Sequence, residues 1–273
     1  LRSSIATNDQ YFQVAGVGQL ARVRRSLYNI FPKITVPNGN HNGTIAYTDW
    51  DEASIAKAAA MRAEGAAFPE STAAFKGYTL QLRKVGDSLP VSDEFLEDEE
   101  MAAQELALFV SANVESIVDN QLVNGDNTGQ NVKGLLTSVD AYTAASSGII
   151  SPNVYDLIVK MKESITKTKG SKYQPDFAAM NETTMNTLVL KKDANYNYQF
   201  EPNHPIFDMI VVDNNMPDDA VVVGDSRFAR IYEKSGVVLS RGEVGSQFTA
   251  DMTTIKARKR LNLLIRAADK GGF

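Results

Sequence analysis

The chain has 273 residues and a net charge of −5, with 33 acidic side chains against 28 basic ones. Hydrophobic residues make up 43% and charged residues 22%, so the chain can bury a real core. Cysteine is absent, which excludes disulfides, thiol nucleophiles and thiolate metal sites. No apolar run approaches the ~20 residues that cross a bilayer, and the opening Leu1-Arg2-Ser3-Ser4-Ile5 has no apolar core of a signal peptide. A general nucleic-acid binder would show a basic excess, and this chain does not.

Residues 1 to about 40 read as an extended, irregular arm. Gln19 to Arg25 suggests a short helix, and Pro32 and Pro37 hold the backbone around them extended. Arg22, Arg24 and Arg25 form a basic cluster, either a solvated or ion-paired face or a contact for nucleic acid or an acidic neighbour. Thr44–Trp50 alternates, with Ile45 and Tyr47 on one face and Ala46, Thr48 and Trp50 on the other. A break follows at Ala66-Ala67-Phe68-Pro69, and a returning strand has Tyr78, Leu80 and Leu82 on one side. Ten-residue arms would reach ~30 Å from the body. An isolated two-stranded ribbon is marginal in water, so a neighbouring copy is expected to supply its core.

Pro90-Val91-Ser92 reads as a stop, with Ser92 as N-cap and Asp93 and Glu94 in the first helical turn. Apolar residues then recur at Ala103, Leu106, Val110, Val114, Ile117 and Leu122, predicting one helix over 93–123, about 45 Å long. Asn124 to Gly129 ends it with turn chemistry. An α/β pattern follows. Ser151-Pro152 opens a helix that Lys169-Gly170 closes, Phe177–Met180 is a buried strand, and Asn181 caps the next helix. Ile210–Val212 and Ala220–Val223 are short apolar strands. The tail is β: Phe228–Tyr232, a turn at 234–236, Val237–Leu239, Thr253–Ala257 and Leu261–Arg266.

Catalytic chemistry is not visible. No phosphate-cradling Gly-x-x-x-x-Gly-Lys-Ser/Thr loop occurs, and Gly16-Val17-Gly18 is half a dinucleotide fingerprint with no preceding strand. The two histidines, His41 and His204, sit in no nucleophile context and read as surface residues. Asp126 lacks the spacing and the closing Glu of a calcium loop, so it reads as a turn residue. The carboxylates from Glu97 to Glu100 lie together at a helix start, not opposed as a catalytic pair requires. The sequence therefore implies no enzyme, no cofactor and no metal.

Several segments, in order, resemble the major capsid proteins of tailed bacteriophages with the Hong Kong 97 fold. They are Ala74-Phe75 with Tyr78-Thr79-Leu80, then Lys84 through Asp98; Asn124–Gly129 with Lys133-Gly134-Leu135-Leu136-Thr137; Phe177–Asn181 with Leu188–Lys192; and Met216-Pro217 through Asp225 with Phe228. The resemblance implies an α+β capsid fold with an N-terminal arm, an extended β-hairpin called the E-loop, a peripheral domain with a long spine helix, and an axial α/β domain. The implied boundaries are 1–43 for the arm and the start of the peripheral domain, 44–84 for the E-loop, 85–132 for the peripheral domain with its spine helix, 133–223 for the axial domain and 224–273 for the peripheral strands. It also implies self-assembly into hexamers and pentamers of an icosahedral virion shell that forms in the host bacterial cytoplasm. The shell would enclose double-stranded DNA without reading its sequence, with portal and decoration proteins as further partners and no membrane. Trp50, Phe68 and Phe75 are the candidate E-loop anchors and Arg22, Arg24 and Arg25 the candidate arm contacts at the subunit interface. An encapsulin-type compartment of the same fold is the near alternative. An oligomeric hydrolase or binding domain with a hairpin arm is the distant one.

Overall fold

The computed structural model describes residues 25–37, 39, 43–98, 100–168, 172–193, 195–200 and 204–273. In chain order the elements are α1 (Ser26–Ile30), β1 (Lys33–Thr35), β2 (Thr44–Trp50), β3 (Phe75–Gln81), β4 (Arg83–Ser92), α2 (Asp93–Asp98) and α3 (Glu100–Asn124). Then come α4 (Leu135–Ser138), α5 (Val154–Thr168), β5 (Phe177–Met180), α6 (Glu182–Val189), β6 (Ile210–Val212), β7 (Val222–Gly224), β8 (Arg230–Glu233), β9 (Val238–Gly242) and β10 (Met252–Leu264). The residues of the predicted helix from Gln19 lie outside the described set up to Arg25, and α1 begins one residue later.

The larger sheet has the order β1-β8-β10-β4, with β9 also paired to β10. β10 is its axis, antiparallel to β4 from Met252↔Ser92 to Leu261↔Arg83. This corrects two readings. Pro90-Val91-Ser92 is the end of a ten-residue strand, not a stop outside one. Proline is tolerated there because β4 is the edge of the sheet, where a missing N–H costs no ladder bond. The two predicted tail strands, 253–257 and 261–266, are a single strand of 13 residues, because Lys259 between them is buried.

α3 lies across one face of this sheet. Val110, Val114, Val118 and Leu122 are all buried, four residues apart, and they share a core with Ala257, Leu261, Leu263, Val85 and Leu89. Each such side chain contributes ~1.5–3 kcal/mol on burial. Ile117, expected in this stripe, is 51% exposed, because Val118 occupies the four-residue repeat in its place. The helix expected over 93–123 is described as α2 and α3, with Glu99 between them outside the described set.

The smaller sheet has the order β6-β5-β7, with β5 parallel to β6 and antiparallel to β7. β5 is apolar at every position because both its faces are covered. Phe177 and Ala179 join the core of α3, while Ala178 and Met180 join a second core with Ile158 and Ile165 of α5. α5 is capped by a reciprocal pair and not by Ser151-Pro152: Asn153 N–H donates to Asp156 Oδ2 at 3.0 Å, and Asp156 N–H donates to Asn153 Oδ1 at 2.9 Å. Its predicted close at Lys169-Gly170 lies outside the described residues. Asn181 caps α6 as expected, accepting from Thr184 N–H at 2.7 Å.

The two sheets are joined where the chain leaves α3. Gly134 N–H donates to Gly125 O at 2.9 Å. A Cβ on Gly134 would lie 2.5 Å from Gly125 N and 2.7 Å from Val123 O, both rigid backbone atoms. Gly134→Ala is therefore expected to lower stability by about 2–3 kcal/mol through overpacking. Urea unfolding checks it, with a lower midpoint at an unchanged slope; an unaltered midpoint would show that this crossing yields freely.

Candidate assembly surfaces

β2 and β3 pair over seven residues, Thr44↔Gln81 to Trp50↔Phe75, giving arms of about 23 Å, shorter than the ten-residue arms expected. The connection 51–74 holds a short 3-10 turn at Glu52–Ser54 and one isolated bridge, Ala56↔Thr72, and none of its described residues is buried.

The two faces of this ribbon differ. On one, Ile45 and Tyr47 are half-buried and Asp49 is buried. Tyr47 stacks on Tyr78 with ring centroids 5.6 Å apart, and Asp49 Oδ2 accepts from Ala268 N–H at 3.3 Å. The root thus packs on its own chain, on the C-terminal turn Ala267–Gly272. This narrows the expectation of a hairpin with little to pack against: it holds for the other face and the tip. There Trp50 and Phe75 meet with centroids 4.3 Å apart, yet stay 44% and 63% exposed. At the tip Phe68 is 85% exposed and Met61 fully so. Four large apolar side chains on one excursion, none covered by the subunit, mark a contact surface.

Arg25 is engaged by its own chain. Its Nε donates to both carboxylate oxygens of Asp119, at 3.0 and 2.9 Å, and one terminal nitrogen donates to Glu115 at 3.0 Å. Its guanidinium also lies 3.7 Å from the ring centroid of Tyr28. These contacts pin α1 to α3. Burial pushes the Asp119 carboxyl up, and Arg25 offsets that in part. Arg22 and Arg24 lie outside the described residues.

Beneath this sits a group the sequence reading missed. Lys259, buried, donates to Tyr28 Oη at 2.6 Å and pairs with Glu233 at 2.8 Å, while Tyr28 donates to the same carboxylate at 2.8 Å. Burial pushes the Glu233 carboxyl up, but its hydrogen bonds from Lys259 and Tyr28 win and hold it below the usual carboxylate range. Burial pushes the Lys259 amine below the usual lysine range. The signal was present: Ile255, Ala257 and Leu261 share a parity with Lys259, and strict alternation would have carried the strand through it.

The remaining candidates are structural. Asp126 accepts from Thr128 Oγ1 at 2.6 Å, Thr128 N–H at 3.0 Å and Asn131 Nδ2 at 2.8 Å, which lowers its pKa to about 2 and makes it a turn residue. His204, expected at the surface, is half-buried: its Nδ1 accepts from Ile206 N–H at 3.3 Å, and its ring meets Tyr155, Phe200 and Phe207. His41 and the Gly16-Val17-Gly18 segment lie outside the described residues. Among the described residues no group of three His, Asp or Glu side chains is placed to hold a metal, and no helix is long and apolar enough to cross a membrane.

An uncovered apolar ribbon beside a helix-backed sheet suits a protein that works by contact. A family model for the phage capsid family matches residues 15–269. The chain belongs to the phage capsid family. It is a structural capsid protein and not an enzyme. Its fold is shared with a solved structure from Mycobacterium phage Bobi, at TM-score 0.73 and 18% identity over 97% of this chain and 92% of that one. The capsid of a native GTA particle, computed with C5 symmetry, aligns at TM-score 0.70 and 17% identity over 100% of this chain and 97% of that one. A chain from Gordonia phage Cozz matches at TM-score 0.61 with 9% identity over 94% and 87%. No curated protein matches.

Proposed function

We propose that this capsid protein builds hexamers and pentamers that close into an icosahedral virion shell around double-stranded DNA, assembling in the host cytoplasm. The uncovered face of the β2–β3 ribbon carries this reading: Trp50, Phe75 and Phe68 need a partner surface that the subunit does not provide. In this reading residues 44–84 are the E-loop. The larger sheet with α3 is the peripheral domain, 85–132 and 224–273, and the smaller sheet lies in the axial domain, 133–223. Head-to-tail contacts of this kind close into rings, the geometry of capsomers. Arg25 serves within the subunit, fixing α1 where the N-terminal arm (1–43) joins the body. Portal and decoration proteins would meet the finished shell.

Size-exclusion chromatography and negative-stain microscopy of the purified protein test this. The expected result is closed megadalton particles; a monomer or dimer at high concentration overturns it. Nuclease-protected DNA inside native particles supports the genome-holding form, and a protein cargo in its place supports an encapsulin-type compartment.

A further inference from the structure

α1 has only five residues, and isolated helices shorter than about 12–15 residues are marginal in water. It also lacks a cap of its own. Arg25 occupies the N-cap position and makes no side-chain capping bond. The cap comes from 186 residues away: Leu27 N–H donates to Asp213 Oδ2 at 3.3 Å. Asp213 is buried directly after β6, and its own N–H donates to Met180 O of β5 at 2.9 Å. The smaller sheet therefore holds the N-terminal end of α1.

The larger sheet holds the other end. Only Phe31 and Pro32 separate α1 from β1, which pairs with β8 from Lys33↔Ile231 to Thr35↔Glu233. Proline fixes its own φ and confines the residue before it to extended backbone, so neither connecting residue turns freely. Ile231 N–H donates to Pro32 O at 2.9 Å and locks the junction. Tyr28 adds its bonds with Glu233 and Lys259, and Arg25 ties the same helix to Asp119 of α3. On the side of the smaller sheet, Phe31 meets Phe177 of β5 edge-on, with ring centroids 5.7 Å apart. α1 is thus mounted stiffly on one sheet and gripped at its far end by the other. The chain itself crosses between the sheets at 125–134, and α1 adds a tie that no peptide bond supplies.

We propose that α1 is a brace that sets the angle between the two sheets, with Asp213 and Pro32 as its positioning residues. The proposal rests on the reading that the chain closes into a shell, and adds what fixes the curvature of that shell. Head-to-tail contacts close only if the rotation from one copy to the next is right. That rotation depends on the shape of each copy. An angle left free inside the subunit therefore becomes a spread of particle sizes.

Two variants of the full chain test this. Pro32→Gly loosens the mount; Pro32 is exposed, so no packed side chain is lost. Asp213→Asn weakens the grip, and leaves one oxygen for the bonds that Asp213 Oδ1 accepts from Asn215 N–H and Nδ2. Pro37→Gly, at an exposed proline beyond β1, is the control. The chain has no cysteine, so Lys256→Cys on β10 and Asn186→Cys on α6, both exposed positions, give a single pair of spin labels. Double electron–electron resonance on the unassembled chain should give one narrow distance for parent and control. Both variants should lose that narrow peak and show a broad distribution. Without labels, parent and control should form particles of one diameter, and the variants particles of mixed diameter. A helix that only added stability would change particle yield and leave the diameter alone. Should Asp213→Asn fail to fold, Pro32→Gly alone decides. Unaltered label distances overturn the brace. Broadened distances with particles of the parent diameter overturn its role in curvature. A parent that never forms particles, with variant distances that broaden as expected, sinks the shell reading and leaves the brace standing.

Discussion

Replacing residues 51–74 with Asn-Gly leaves a folded subunit that no longer forms closed particles. Trp50 and Phe75 are already paired at the end of the ribbon, and Asp51 N–H donates to Ala74 O at 2.9 Å, so the two strand ends can be joined directly. Asn-Gly is the turn chemistry for a two-residue hairpin loop. None of the described residues removed is buried, so the expected change in stability is under about 1 kcal/mol, a shift of no more than about 4 °C in melting temperature. What the replacement removes is Phe68, Met61 and the reach of the excursion. Negative-stain microscopy reads the outcome, and closed particles of normal size from the shortened chain would refute a role for this tip in assembly.

The second large effect is on stability. Lys259→Met removes a buried ammonium and leaves the Glu233 carboxylate and the Tyr28 hydroxyl facing an apolar side chain. Breaking such a pair from one side costs about 3–5 kcal/mol, whereas replacing both charges is often close to neutral, so adding Glu233→Gln should restore much of the loss. The pH dependence follows from sign. In the parent, Glu233 titrates below its unfolded value, so its contribution is complete above a pH of about 4.3 and is lost as pH falls through the folded value. In Lys259→Met the lone buried carboxyl titrates above its unfolded value, and protonating it favours the folded state. The gap between variant and parent should therefore narrow as pH falls through about 4. Urea midpoints at neutral and acid pH measure it; a gap independent of pH would mean that Glu233 is not the group responsible.

Local periodicity made much of this fold legible. Phe177–Met180, the Asn181 cap and the half-buried face of β2 each depend on a few neighbouring residues, and each stands where the pattern put it. Alternation also placed Trp50 on the ribbon face away from Ile45 and Tyr47, the face the structure leaves uncovered. The misreadings share a cause. Lys259 looked like a break because a cation is costly to bury, and its partners lie at Tyr28 and Glu233, far away in the chain. Pro90 looked like a stop because the edge position that tolerates it depends on which strands pair. Ile117 and Val118 are equally apolar, and only the direction of the sheet beneath α3 decides which is covered. The Arg25 cluster was visible as charge, but its destination on Asp119 was not.

The pairing of β4 with β10 also has a consequence for synthesis. The partners are separated by about 170 residues, and the ribosome adds about 5–20 residues each second. For roughly ten to thirty-five seconds β4 and the apolar stripe of α3 exist without the strand that completes their sheet. Nascent chains growing side by side on one message meet during that interval with their stickiest surfaces open. Slower translation, which lengthens that interval, is therefore expected to lower the share of chains that reach the finished subunit.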